Sequence, residues 1–181
     1  MRIGLVSDTH GLLDPALPPL LEGCALILHA GDVDAEPVLA GLSRIAPVRA
    51  ARGNNDDGPF GASLPESFRV DLEGVRALVI HEARADAPVP ALRRSLARWP
   101  ADVVIHGHSH RPGSAWRGPT LFVNPGSAGP RRFSLPRTAS VLVVEGRRLE
   151  VRWYDLAPGG ARERTAPMVV DLDAPPGGSP R

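Results

Sequence analysis

At 181 residues, 43% hydrophobic and 23% charged, the chain has the composition of one globular domain able to bury a core, which excludes an intrinsically disordered protein. A formal net charge of +1 provides neither a nucleic-acid track nor attraction to a membrane surface. All 21 basic residues are arginine, which with the many Ala, Pro and Gly residues reflects GC-rich coding rather than adaptation to phosphate. The single cysteine, Cys24, rules out an internal disulfide and is expected as a small core residue. No apolar stretch approaches the roughly 18 residues that cross a bilayer. Met1-Arg2-Ile3 runs into a strand-like segment without a leader, so a cytoplasmic location is expected.

Residues 3–6 form a short apolar run closed by Ser7 and Asp8, the pattern of a buried parallel strand. Residues 15–21 have helical apolar spacing and 25–28 make the next buried strand. A helix follows over 36–42, then a third strand over 47–50 that leads to Gly53-Asn54. This alternation predicts an α/β unit with a parallel sheet. The pattern then changes, because residues 68–72 and 75–80 alternate around Glu73-Gly74 as a hairpin does. Residues 91–99 read as a helix and 102–105 as a buried strand ending in His106. Strands follow over 121–123, 140–144 and 149–154, the last two joined by Glu145-Gly146-Arg147-Arg148. Two sheets face to face between helical layers satisfy this order most economically. The domain is expected over 1–156. Residues 157–181 are expected as a Pro/Gly-rich tail, with one short edge strand at 168–172 and a loose end from 174.

Six short motifs stand where hydrophobic runs end: Asp8-Thr9-His10, Gly31-Asp32, Gly53-Asn54-Asn55-Asp56, His81, Gly107-His108-Ser109-His110 and Asn124-Pro125-Gly126-Ser127. The first five supply carboxylate, carboxamide and imidazole groups, the ligand set of a two-metal hydrolytic centre. Loops beyond the carboxyl ends of parallel strands gather at one place, so ligands distant in sequence can converge. In an extended segment residues two apart point the same way, which would aim Asp8 with His10, and His108 with His110, into one pocket. Gly31, Gly53 and Gly107 precede ligand positions, where a tight turn or close backbone approach leaves no room for a side chain. A chance Gly-His-x-His is expected only about 0.02 times in a chain of this composition.

On these motifs, in this order, the chain resembles the calcineurin-like metallophosphoesterase superfamily. It is most similar to the small single-domain phosphodiesterase branch, which includes the related retromer subunit. The resemblance covers residues 1–156, including Asn124-Pro125-Gly126-Ser127 and the arginines after it. It implies an α/β fold, a four-layer αββα sandwich with two mixed β-sheets flanked by helices, and a binuclear centre between the sheets. It further implies that Asp8, His10, Asp32 and His110 hold one metal. Asp32, Asn54, His81 and His108 would hold the other, with Asp32 bridging and with Asp32, Asn54 and His108 as the catalytic set. The implied reaction is in-line attack of a metal-bridging hydroxide on phosphorus, with no protein nucleophile. Ligation by His, Asp and Asn without thiolate favours two divalent transition-metal ions, Mn²⁺ first, with Ni²⁺, Fe or Zn²⁺ as alternatives.

Two positions depart from the wider superfamily. Many members have Gly-Asn-His where this chain has Gly53-Asn54-Asn55, and an amide cannot protonate a leaving group at neutral pH. Slow hydrolysis is therefore expected, better on phosphodiesters than on phosphomonoesters. After His81, relatives often carry Gly-His where this chain has Glu82-Ala83. Glu82 is either a carboxylate behind a ligand or a solvated residue at a strand end.

Asn55 and Arg131 are candidates for substrate contact, Arg131 with Arg132 as a phosphate clamp. His29 and Asp56 are assigned behind the ligands. His29 either orients a ligand or is a hydrogen-bonded core residue, and Asp56 bonds the loop backbone. Asp34 is read as a helix N-terminal residue, His106 as structural, and Asn124 and Ser127 as shaping the loop. The expected substrate is a small phosphoester, with nucleotide derivatives among the options. No membrane partner is expected, nor a nucleic acid, since 4% aromatic residues give little stacking surface. Oligomerisation is left open. The alternative function is a non-catalytic interaction module on the same fold, which calls for an exposed apolar patch. Phe60, Trp116 and Phe133 are its scattered candidates.

Overall fold

Side chains of successive strand residues point to opposite faces, and that period of two sorts this chain into layers. The computed structural model describes residues 1–83, 89–132 and 134–174, so Phe133 and all but the first residue of the expected loose end lie outside it. In chain order the elements are β1 (Arg2–Val6), α1 (Leu17–Leu21), β2 (Leu26–His29), α2 (Glu36–Ser43), β3 (Val48–Ala50) and α3 (Gly58–Ser63). The hairpin β4 (Ser67–Leu72) and β5 (Val75–Ile80) follows, then α4 (Pro90–Arg98), β6 (Val103–Ile105), β7 (Gly113–Arg117) and β8 (Thr120–Asn124). The last strands are β9 (Thr138–Glu145), β10 (Arg148–Ala157), β11 (Gly160–Glu163) and β12 (Met168–Asp171).

Two mixed sheets result. One runs β11-β10-β9-β1-β2-β3, with β12 pairing β10 beside β11; the other runs β4-β5-β6-β8-β7. Ile3 and Leu5 of β1, Leu28 of β2, Val79 of β5, Val103 and Ile105 of β6, and Leu142 and Val144 of β9 fill the space between the sheets. The intervening residues face outward. Val6, Ile27 and Val141 pack on Leu17, Leu21, Val38 and Leu42 of α1 and α2. On the far side Leu78, Val104 and Phe122 pack on Leu92 of α4. Helices, sheet, sheet and helix make the four-layer αββα arrangement expected from the sequence.

Each sheet contains a parallel triplet, β1 with β2 and β3 in one and β5 with β6 and β8 in the other. Their carboxyl ends open on the same side of the molecule, and Trp153 of β10 joins the sheets there by donating its indole N–H to Asn124 O at 2.8 Å. Three elements escape the sequence patterns. The α3 segment holds two glycines and a proline, which mask helical spacing. The edge strands β7 and β11 carry no apolar alternation. Residues after 156 contain β11 as well as β12, both hydrogen-bonded to β10, where a tail with one short strand was expected.

Candidate metal centre

Seven side chains meet where the parallel triplets end. Asp8 and His10 follow β1, Asp32 follows β2, Asn54 follows β3, His81 follows β5, and His108 and His110 follow β6. Neighbouring members touch in a closed ring. Asp8 Oδ1 lies 3.2 Å from His110 Nε2, which lies 3.4 Å from His10 Nε2, which lies 3.8 Å from Asp32 Oδ2. Asp32 Oδ2 is 3.4 Å from His81 Nε2, and Asn54 Oδ1 stands 3.0 Å from that nitrogen and 2.9 Å from His108 Nδ1. The backbone N–H of His108 closes the ring by donating to Asp8 Oδ2 at 3.1 Å. Within it, Asp8 with His10 and His110, and Asp8 with Asp32 and His81, have the spacing of metal ligands. Asp32 stands between His10 and His81, and Asp8 belongs to both groups.

The backbone reaches this convergence by a route other than strand alternation. Asp8, His10, Asp32, His108 and His110 all have left-handed backbone, with φ between 46° and 68°. Such values are uncommon outside glycine, although Asp and His tolerate them better than most residues, and they gather at functional sites. The pairs two apart therefore converge by tight turning rather than by facing one side of an extended strand. His108 and His110 in fact divide between Asn54 and Asp8.

Close backbone approach explains two of the glycines. A Cβ on Gly107 would stand 1.9 Å from Ser7 Oγ and 2.5 Å from Asp8 Oδ2, and one on Gly53 would stand 2.1 Å from Asp32 Oδ1. Asp56, 1% exposed, accepts four backbone N–H groups: Val33 and Asp34 on Oδ1 at 2.8 Å each, Asp32 on Oδ2 at 3.0 Å and Gly53 on Oδ2 at 2.7 Å. It ties the loop after β2 to the loop after β3. Asn55 donates its backbone N–H to Asp32 Oδ1 at 2.9 Å and its side-chain amide to Oδ2 at 2.6 Å.

The far edges of two imidazoles are fixed as well. His81 Nδ1 donates to Ala30 O at 2.8 Å, and His10 Nδ1 donates to Asp34 Oδ2 at 2.8 Å. Each bond places the proton on Nδ1 and turns Nε2 inward, as metal ligation requires. Asp34 was expected at a helix N-terminus. It does not cap α2, whose N-cap is Ala35 and has no side-chain cap bond. The signal for its role, a carboxylate two residues beyond Asp32, is too common in sequence to single out.

Other residues frame the ring. His29 accepts from Gly31 N–H at 3.2 Å on Nδ1 and donates from Nε2 to Thr9 Oγ1 at 3.0 Å, so it braces the two loops. Burial holds it neutral, with its pKa down at about 4. Asn124 donates to Gly107 O at 2.9 Å and Ser109 Oγ at 3.0 Å, and Ser127 donates to Asp8 O at 2.9 Å; both shape the loops. His106 lies at the end of β6 against Phe122, and burial lowers its pKa to about 4. Arg131 and Arg132 are exposed on the loop after Ser127. Asn54 and His81 also line a cavity of about 450 Å³, shared with Arg52, Glu66, Glu82 and Arg94.

The ring suits cations. Among the described residues Asp8 Oδ1 is buried without a hydrogen-bond partner, and His10 and His110 direct nitrogens at each other beside it. Burial raises the Asp32 carboxyl, yet His81 and the Asn55 N–H groups outweigh it and hold the group well below the usual carboxylate range. Burial likewise lowers His81, and the Asp32 and Asp8 carboxylates outweigh it and raise its pKa, so this pocket recruits positive charge. Buried carboxylates, imidazoles and a carboxamide, without a thiolate, are the donor set of divalent transition metals.

Comparison with known proteins agrees with this chemistry. The calcineurin-like phosphoesterase superfamily domain matches residues 1–147, a span that contains every member of the ring. A protein of Methanothermobacter thermautotrophicus named "Probable metallophosphoesterase" is 33% identical over 156 residues, which cover 83% of this chain and 90% of that one. Vps29 of Entamoeba histolytica, solved in complex with Zn²⁺, superposes with a TM-score of 0.72 at 21% identity, covering 95% of this chain and 99% of that chain. Yfce, a phosphoesterase from E. coli, superposes with a TM-score of 0.64 at 24% identity, covering 95% of this chain and 100% of that chain. The two structural likenesses speak for the fold, and the sequence match for the lineage. The chain belongs to the calcineurin-like phosphoesterase superfamily, and its fold is that of Yfce and Vps29.

Proposed function

We propose that this protein is a phosphodiesterase that hydrolyses a small phosphoester at a binuclear metal centre. The observation that carries the proposal is the closed ring of two carboxylates, four imidazoles and one carboxamide at the ends of the parallel strands. Asp8, His10, Asp32 and His110 hold one ion and Asp32, Asn54, His81 and His108 the other, with Mn²⁺ as the preferred metal. When bound, two such ions supply positive charge to the phosphate oxygens and activate water for attack on phosphorus.

The protein's own groups position and select. Asn54 and His108 are exposed, so the ring faces solvent on their side while Asp8 and Asp32 stay buried. A phosphate anion approaches from that side. The cavity beside Asn54 and His81 receives one ester arm, with Arg52 and Arg94 as donors and Glu66 and Glu82 as acceptors. Asn55 holds Asp32 and offers no acidic proton to a leaving group, which favours diesters whose leaving group departs without protonation. An interaction module would call for an apolar patch, and among the described residues the exposed large hydrophobics are Met1 and Val169.

Purified protein reloaded with Mn²⁺ or Ni²⁺ is expected to cleave bis-p-nitrophenyl phosphate, and His108→Ala to abolish cleavage. Equal rates in metal-stripped and reloaded protein would defeat the proposal.

A further inference from the structure

We propose that Asp34 is a positioning residue that makes the two metal sites unequal, strengthening the one to which His10 belongs. The inference rests on the metal-centre reading above. Asp34 Oδ2 accepts the Nδ1–H of His10 at 2.8 Å, from the side of the imidazole opposite the ring. The His10 side chain is 4% exposed and that of Asp34 30%, so the pair is sheltered on the histidine side rather than a fully solvated surface pair. Asp34 belongs to neither group of candidate ligands.

The surrounding backbone is built to present this carboxylate. Asp34 has φ 63°, a left-handed value, and its N–H is held by Asp56 Oδ1 at 2.8 Å. His10 N–H donates to Asp32 O at 3.1 Å and Gly11 N–H to Val33 O at 2.9 Å, which lays the two loops side by side. The register of His10 against Asp34 is thus fixed by backbone bonds on both strands of the loop pair. A helix-capping role is excluded by Ala35, which holds the N-cap position of α2.

Asymmetry follows from comparing the two oriented imidazoles. His81 gives its Nδ1–H to a neutral backbone carbonyl, Ala30 O, whereas His10 gives its own to a full negative charge. Both bonds select the tautomer with the Nε2 lone pair turned inward, but only one adds an anion behind the ligand. A cation next to His10 gains that attraction across one ring; a cation next to His81 does not. Outer partners of this kind are worth about 10–100-fold in metal affinity.

The test uses metal-free full-length protein titrated with Mn²⁺ in a calorimeter, beside Asp34→Ala and Asp34→Asn. Wild type is expected to bind two ions with separable affinities. Asp34→Ala should weaken one of them about 10–100-fold and leave the other within about twofold. Asp34→Asn keeps an acceptor without charge and should lose less. Nitrogen-15 spectra of the metal-free protein give a readout independent of metal. In these the His10 ring is expected as the Nδ1–H tautomer in wild type and as a tautomer mixture in Asp34→Ala. Unchanged affinities, or equal loss at both sites, would overturn the inference while leaving the metal centre standing. Wild type that binds no Mn²⁺, Ni²⁺ or Zn²⁺ would remove both. Should Asp34→Ala not fold, Asp34→Asn decides by calorimetry, with a loss confined to one of the two sites expected and no loss, or equal loss at both, overturning the inference.

Discussion

His10 and His110 turn their Nε2 atoms to 3.4 Å from one another, although 100 positions of chain separate them and they follow strands of different sheets. Beside these two nitrogens the buried Asp8 Oδ1 has no hydrogen-bond partner among the described residues. A divalent ion would satisfy all three atoms at once. Binding only to the folded state adds about 2.7 kcal/mol at a free concentration one hundred times Kd. For a domain of this size that corresponds to a rise in Tm of roughly 5–10 °C. Calorimetric melting of chelator-treated protein with and without Mn²⁺ measures it, and identical melting with every transition metal tried would refute the cation site.

Gly107 and Gly53 are predicted to reject even a methyl group. Alanine at Gly107 forces both Ser7 and Asp8 aside, and alanine at Gly53 collides with Asp32. The cost is expected at about 1–3 kcal/mol for each variant. Metal content should fall with it, because Asp8 and Asp32, among the displaced residues, are candidate ligands. Urea unfolding together with elemental analysis checks both. A stable Gly107→Ala protein with full metal content would contradict the geometry.

Asp56→Asn is expected to unfold more readily than the loss of one hydrogen bond suggests. Each carboxylate oxygen accepts two backbone N–H groups, so whichever one becomes NH₂ leaves two buried donors unsatisfied. At about 1–3 kcal/mol for each orphaned group, the total is roughly 2–6 kcal/mol. A denaturation midpoint equal to that of wild type would show that the loops do not depend on this anchor.

Asp102 gives the acid limb of stability a defined window. Burial pushes its carboxyl up, but hydrogen bonds from Arg76 and Arg147 outweigh this and lower the pKa from 3.8 to about 2. The folded state thus binds fewer protons than the unfolded chain between these values. The Asp102 contribution is therefore complete above 3.8 and is lost as the pH falls toward about 2. In metal-free protein, unfolding free energy should drop more steeply across that window in wild type than in Asp102→Asn. Parallel slopes would show that the Arg76 and Arg147 bonds carry no linkage.

Sequence made the layer order and the ring members legible for a shared reason. Parallel strands buried on both faces read as apolar runs, and Asp8, Asp32, Asn54, His81 and His108 interrupt the polarity pattern where those runs stop. The Glu73-Gly74 hairpin was equally plain, since apolar alternation runs on both sides of a turn whose Gly74 takes left-handed backbone. Other features leave no such trace. Asp34 acts through a partner 24 positions away, and one more acidic residue in a loop carries no periodicity. β7 and β11 are edge strands held by pairing rather than by apolar alternation. The turning of Asp8, His10, His108 and His110 into left-handed backbone is enforced by tertiary bonds such as that from Ser127 to Asp8 O, which no local pattern announces.

Those left-handed positions set catalysis against robustness. Five ring members occupy conformations in which glycine would be more comfortable, at about 1 kcal/mol or more apiece, and the proposed metal centre would demand a carboxylate or an imidazole there. His110→Gly should consequently melt above wild type when both are free of metal, and below it when wild type is loaded. A lineage released from the need to hydrolyse phosphoesters can therefore lose these side chains and gain durability, so that abandoning the reaction is downhill for the fold.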